Sequence, residues 1–253
     1  MTIVLLTALG VGGATILGSA IGFLFKNLSH KFSDIILSFA AGVMLCAAVF
    51  GLIMPSLEYA TGTFSLIITI LGIFCGALIL NIIDKTTPHL HKISGIDQEN
   101  HPEKNNQLNK VMLFVLAIAI HNFPEGIAAG VGFGTDNISA ALTIAGGIAL
   151  QNIPEGMVII TPLLATGISK KRTFIIALAT GLVEVIGTLI GYFAVSLSNA
   201  ILPFALAFAG GTMLYVISDE MIPETHSHGC ERGATYSLLI GFCLMLVIDF
   251  YLG

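Results

Sequence analysis

Apolar residues come in runs of about twenty along nearly the whole chain, separated by short polar or glycine-bearing breaks. A helix crossing a ~30 Å hydrocarbon layer needs about twenty such residues at ~1.5 Å each. The runs therefore predict eight membrane-spanning helices, at about residues 2–25, 33–55, 63–83, 111–132, 139–165, 172–195, 201–222 and 234–252. Glycine and proline within them do not count against helix, because membrane helices tolerate both. The first run has no positive leader and is long enough to span, so it reads as the first helix and not as a signal peptide. One break is long, about residues 84–110. It is polar, mixed in charge, and carries His89, His91 and His101. It reads as a flexible cytoplasmic loop within a single transmembrane domain covering residues 1–253.

Composition sharpens the class. The chain is 55% hydrophobic and 10% charged, with mean hydropathy +0.94, whereas soluble domains are roughly a quarter charged. The expected class is an all-α polytopic membrane protein whose immediate partner is the lipid bilayer; no nucleic-acid partner is expected. Cys46, Cys75, Cys230 and Cys243 form no CxxC pair, and three of them lie in apolar runs as small packing residues.

The cations alternate from one break to the next. Lys26 and Lys31 lie in the first connection, Lys85, Lys92, Lys104 and Lys110 in the third, Lys170, Lys171 and Arg172 in the fifth, and Arg232 in the seventh. These are all ten Lys and Arg of the chain. The positive-inside rule then places the odd connections in the cytoplasm and both termini outside, in a plasma or bacterial inner membrane. Small residues four apart recur on the runs, at Gly18 and Gly22, Gly72 and Gly76, Gly126 and Gly130, and Gly187 and Gly191. They predict close helix packing without naming partners.

Two near-copies of one phrase break the apolar pattern: His121-Asn122-Phe123-Pro124-Glu125-Gly126 and Gln151-Asn152-Ile153-Pro154-Glu155-Gly156. His121 and Glu125 are i and i+4 on the fourth span, so they share a helix face, and Asn122 flanks the same carboxylate. The fifth span repeats the face with Gln151, Asn152 and Glu155, and the sixth adds a lone acid, Glu184. A carboxylate at a helix centre costs about 2.5–3.5 kcal/mol, so three would cost about 8–10 kcal/mol uncompensated. Apart from Arg172 at the very start of the sixth, no Lys or Arg lies in these three runs to pair with them. Protons or bound cations remain, and one divalent ion offsets two carboxylates. Pro124 and Pro154 remove the usual helical partners of the Ile120 and Leu150 carbonyls, another way to free oxygen ligands at mid-membrane.

The donor types suit borderline divalent ions such as Zn²⁺, Fe²⁺ or Mn²⁺ better than Cu⁺. A set of His121, Glu125, Gln151 and Glu155 is mixed in donor type. A set of Asn122, Glu125, Asn152, Glu155 and Glu184 is all oxygen. The expected site lies between helices four, five and six. An intramembrane metalloprotease is disfavoured, because HExxH is absent. A proton-coupled carrier of an organic solute, with the glutamates as relays, explains the acids but not His121 with its duplicated amides.

At these motifs the chain resembles the ZIP family of divalent-metal transporters, more closely its bacterial members. The two phrases, together with Gly181-Leu182-Val183-Glu184 on the sixth span, carry the resemblance, as do the span count and the His-bearing third connection. The resemblance implies a binuclear site: one ion held by His121, Glu125, Gln151 and Glu155, the other by Asn122, Glu125, Asn152, Glu155 and Glu184, with the two repeated glutamates bridging. It implies that Met44 lines the first site. It also implies a 3+2+3 arrangement of helices with inverted symmetry, a homodimer, metal movement into the cytoplasm, and no cofactor apart from the transported ions. Many relatives have His where this chain has Gln151, and some have Asp where it has Asn152. Amides at both places lower ligand charge, leaving Fe²⁺, Mn²⁺ and Cd²⁺ open beside Zn²⁺.

Other polar residues carry less. Asp219, Glu220 and Glu224 cluster around Pro223 at the end of the seventh span, where the family has acids, so an exit-route role stands beside a solvated helix end. His226 and His228, like His89 and His91, are spaced to catch a metal ion or merely to face water. His30, Asp34 and Asp84 read as ordinary residues of solvated helix ends.

Overall fold

The computed structural model describes residues 1–25, 28–59, 62–86, 120–135, 137–165 and 167–253. The described residues form eight helices: α1 (Thr2–Gly22), α2 (His30–Glu58), α3 (Gly62–Thr86), α4 (residues 120–132), α5 (Ile138–Val158, continued by Ile160–Ala165), α6 (Lys170–Leu197), α7 (Leu202–Thr225) and α8 (Glu231–Leu252). Each falls on one of the eight apolar runs. The expected loop at 84–110 lies almost wholly outside the described residues.

Caps explain where three helices begin. Ser29, Asn137 and Ser169 accept side-chain hydrogen bonds from Phe32 N, Ala140 N and Arg172 N. Each satisfies one orphan N–H of the first turn, a contribution of about 1 kcal/mol. Helices α2, α5 and α6 therefore start up to three residues before the apolar pattern does.

Among the described residues six helices are long and apolar enough to cross a membrane: α1, α2, α3, α6, α7 and α8. Helix α5 has 21 residues in its main segment but is not among them. Gln151, Asn152 and Glu155, the polar residues of the second phrase, dilute its hydropathy. The chain is an all-helical, multi-pass membrane protein.

Helices α2 and α7 are central, with 61% of each apolar window buried, against 22% and 17% for α3 and α8. The outer two show large apolar side chains such as Phe64, Phe74, Leu78, Ile240 and Phe250, the surface that lipid solvates.

Glycines set the tightest crossings, and here the structure supplies the partners that spacing left open. On α1, a Cβ at Gly18 or Gly22 would overlap the backbone of α5 at Ile153 or Met157. On α4, Gly126 and Gly130 meet the Glu184 and Thr188 carbonyls of α6. Gly187 and Gly191 answer from α6 against the Phe123 and Ile127 carbonyls. Gly72 and Gly76 on α3 meet α7 at Phe204 and Phe208, and Gly42 and Gly241 join α2 to α8. Backbones this close pack without side chains between them, as small residues allow in membranes.

Two helices carry irregular turns that the apolar pattern did not signal. Ala47–Ile53 of α2 and Ile217–Met221 of α7 are π-helical. In each case a proline follows, Pro55 and Pro223. A proline lacks the N–H that would bond four residues back, so the Gly51 and Asp219 carbonyls lose their α-helical donors and the turn widens. Helix α5 runs helically through Pro154 and is interrupted at Ile159.

Candidate metal site

Glu184 is fully buried on α6, and three donors from three helices converge on it. Thr15 Oγ1 of α1 donates to Oε1 at 2.5 Å. Asn152 Nδ2 of α5 donates to Oε2 at 2.5 Å. Asn122 Nδ2 of α4 donates to Oε1. Asn152 Nδ2 also reaches the Val11 carbonyl at 3.3 Å. Hydrogen bonds to a charged acceptor are about twice as strong as neutral ones, so this carboxylate ties α1, α4, α5 and α6 together.

Next to it lie further buried polar atoms. Among the described residues Glu125 Oε2, Asn152 Oδ1 and Glu155 Oε1 are buried without a hydrogen bond, and the buried Gln151 amide lies against the Glu125 carboxylate. Glu125, Gln151 and Asn152 are each at most 1% exposed. The Glu125 carboxylate interacts electrostatically with Glu155 and Glu184, and Glu155 with His121. Asn152 thus turns its amide hydrogens to Glu184 and its oxygen into the unsatisfied group. An unpaired buried carboxylate or amide oxygen is costly. The arrangement is one that a cation completes: acceptor atoms from two neighbouring helices, with carboxylates close enough to share charge.

The seven polar residues of the two phrases and the sixth span are therefore in one place. Met44, on α2, is fully buried in the apolar cluster that also holds Ile148 and packs against Ile120, adjacent to the phrases along α4 and α5. Two participants come from outside the three helices of the sequence reading. One is Thr15, for which the only signal was a hydroxyl in a strongly apolar run that also holds Thr7 and Ser19. The other is Glu220, whose Oε2 lies 2.5 Å from His121 Nε2 in an ion-pair contact. It sits in the π-helical turn of α7, so the widened turn brings an acid to the histidine.

At the other polar clusters the structure differs from the sequence reading. His226 has both ring nitrogens engaged, Nδ1 with the Ile222 carbonyl at 2.8 Å and Nε2 with Thr235 Oγ1 at 3.1 Å. It is a bracket for the turn between α7 and α8. Asp34 is not solvated: it is 3% exposed and pairs with His228. Nor is His30 isolated, since its ring stacks on that of His228. The long separation of α2 from this turn in sequence hid both contacts. His89, His91 and His101 lie outside the described residues.

Helices apolar enough to span a bilayer, with carboxylates and amides converging between them, define a polytopic membrane protein with a buried intramembrane polar group. Comparison with known proteins narrows this. The profile of the ZIP zinc transporter family matches residues 84–249. The chain is 42% identical to the zinc transporter GufA of Myxococcus xanthus over 98% of both chains. It is 38% identical to the zinc transporter ZIPB of Bordetella bronchiseptica, over 95% of this chain and 78% of that one. It is 30% identical to the human zinc transporter ZIP11, over 95% and 94% respectively. The chain belongs to the ZIP family and resembles its bacterial members. It falls among transporters and not among enzymes.

Proposed function

We propose that this protein carries divalent transition-metal cations, zinc first, across the membrane into the cytoplasm through a binuclear intramembrane site. One observation carries the reading: buried acceptor atoms of Glu125, Asn152 and Glu155 stand without hydrogen-bond partners among the described residues of two adjacent helices. In this reading His121, Glu125, Gln151 and Glu155 take one ion, with Met44 lining it. Asn122, Glu125, Asn152, Glu155 and Glu184 take the other. The names of the relatives support zinc; the donor set also accommodates Fe²⁺, Mn²⁺ and Cd²⁺. Zinc is substrate here and not a resident cofactor.

The same reading includes the finer architecture: a single domain in a 3+2+3 arrangement with inverted symmetry, a homodimer, and both termini outside a bacterial inner or plasma membrane. The paired π-helical turns of α2 and α7, each followed by proline, support the symmetry, since these are the middle helices of the two outer triples. The cation distribution supports the orientation.

The test is uptake of Zn²⁺, Fe²⁺, Mn²⁺ and Cd²⁺ into proteoliposomes, beside Glu125→Ala. Saturable flux that disappears in the variant is the expected result. Unchanged flux in a folded variant rejects the assignment of the site, and displacement of zinc-independent transport by an organic solute favours the proton-coupled carrier.

A further inference from the structure

We propose a second cation site at the end of the bundle where the first and seventh connections lie, formed by Asp34, His228 and His30. It would take a borderline divalent ion such as Zn²⁺ or Co²⁺. The inference rests on this fold and not on the transport reading.

His30 and Asp34 are i and i+4 on the first turns of α2, so both project to one side. His228 comes from the turn between α7 and α8, 194 positions from Asp34. Gly229 shapes that turn with a positive φ of 80°, a conformation that costs glycine nothing. The chain spends a buried carboxylate here. Asp34 Oδ1 lies 3.1 Å from His228 Nδ1, while Asp34 Oδ2 is buried with no hydrogen-bond partner among the described residues. A histidine alone therefore leaves half of a desolvated carboxylate unsatisfied, an arrangement that a bound cation relieves.

The spacing suits metal ligation. Tetrahedral zinc binds nitrogen and oxygen at ~2.0–2.1 Å, which sets neighbouring ligand atoms about 3.3 Å apart. Nδ1 of His228 and Oδ1 of Asp34 are already near that separation, so an ion enters between them with little backbone movement. The His30 ring stacks on His228 with centroids 4.8 Å apart and planes at 29°, placing a second imidazole within a side-chain rotation of the ion. Ser227 Oγ, 3.2 Å from His228 Nδ1, adds a hydroxyl at the rim. Among the described residues no trio of His, Cys, Asp or Glu stands pre-arranged around one ion. Two ligands are thus in place and His30 closes the third position on binding. Imidazole with carboxylate selects Zn²⁺-like ions over Mg²⁺ or Ca²⁺.

The experiment uses the full chain in detergent micelles. Glu125→Ala and Glu155→Ala disable the intramembrane group, and His89→Ala, His91→Ala and His101→Ala remove the histidines of the third connection. Zinc calorimetry and Co²⁺ absorption are read on this background. One saturable equivalent is expected, weakened at least tenfold by His228→Ala and by His30→Ala, and unchanged by Lys31→Ala. No saturable equivalent in the background, or full binding after His228→Ala, overturns the proposal. If Asp34→Asn or His228→Ala aggregates on size exclusion, His30→Ala at the partly exposed helix start decides. Because the background cannot use the intramembrane glutamates, failure here leaves the transport reading untouched.

Discussion

Thr15 shows what a single hydroxyl does inside a membrane protein. It donates to the Glu184 carboxylate at 2.5 Å from a helix otherwise almost wholly apolar. A hydrogen bond to a charged group contributes about 1.5–3 kcal/mol. Thr15→Val keeps the shape and removes the donor, so zinc affinity should fall about tenfold or more, while Thr15→Ser should retain most of it. Saturation curves of zinc uptake check this, and equal curves for the two variants would show that the hydroxyl has no part in the site. Glu220→Gln tests the other unexpected neighbour. Removing the charge beside His121 should lower zinc flux several-fold without altering the amount of folded protein, measured by uptake normalised to membrane content. The seven polar residues of the repeated phrases and the sixth span were legible because each is conspicuous in an apolar run. Thr15 was not, since one hydroxyl in a span is commonplace and only the fold shows which carboxylate it meets. Asp34 and His228 were illegible for the complementary reason: polar residues at helix ends are usually solvated, and their burial depends on a turn nearly two hundred positions away.

At the level of helices, the number and approximate bounds followed from run length, because a bilayer imposes one length on every span. Helix partners did not follow, because a glycine pair states only that something comes close. The α4–α6 crossing is the sharpest case, with glycines on both helices seated against opposing carbonyls. Gly130→Ala must push α6 away from α4 and with it Glu184 from Asn122. It should lower the thermal midpoint in detergent by several degrees and reduce uptake. Gly146→Ala is the control, since a Cβ there meets nothing within 4 Å and alanine improves helix propensity by about 1 kcal/mol. A fluorescence-detected thermal shift of both variants settles whether the crossing limits stability. The π-helical turns were also invisible in the apolar pattern, yet their prolines were in plain view; a missing N–H permits a wide turn without requiring one.

At the scale of the molecule, the contacts fall into two kinds. Between α1 and α5, α1 and α6, and α4 and α6, and again between α2 and α8 and between α3 and α7, glycines meet backbone carbonyls. Where α5 borders α2 and α8, glycines meet side chains instead: Gly51 faces the Ile144 side chain, and Gly147 faces Met245. Backbone-to-backbone contacts fix a relative position, whereas a seam of flexible apolar side chains allows sliding at small cost. The polar cluster belongs chiefly to the first set, so movement along the seam would carry it past α2 and α7. A disulfide tests this directly. A Cβ at Gly51 lies 3.9 Å from Ile144 Cβ, and one at Gly132 lies 3.8 Å from Ala141 Cβ, both near the ~3.8 Å of natural disulfides. In a background lacking the native cysteines, the Gly51→Cys, Ile144→Cys pair spans the seam and the Gly132→Cys, Ala141→Cys pair stays within one set. Oxidation of the first pair should abolish zinc uptake and reduction should restore it. Oxidation of the second should leave uptake largely intact. Full uptake with the seam cross-linked would mean that ions pass without relative movement of the two sets, and that the protein works as a pore through a fixed bundle.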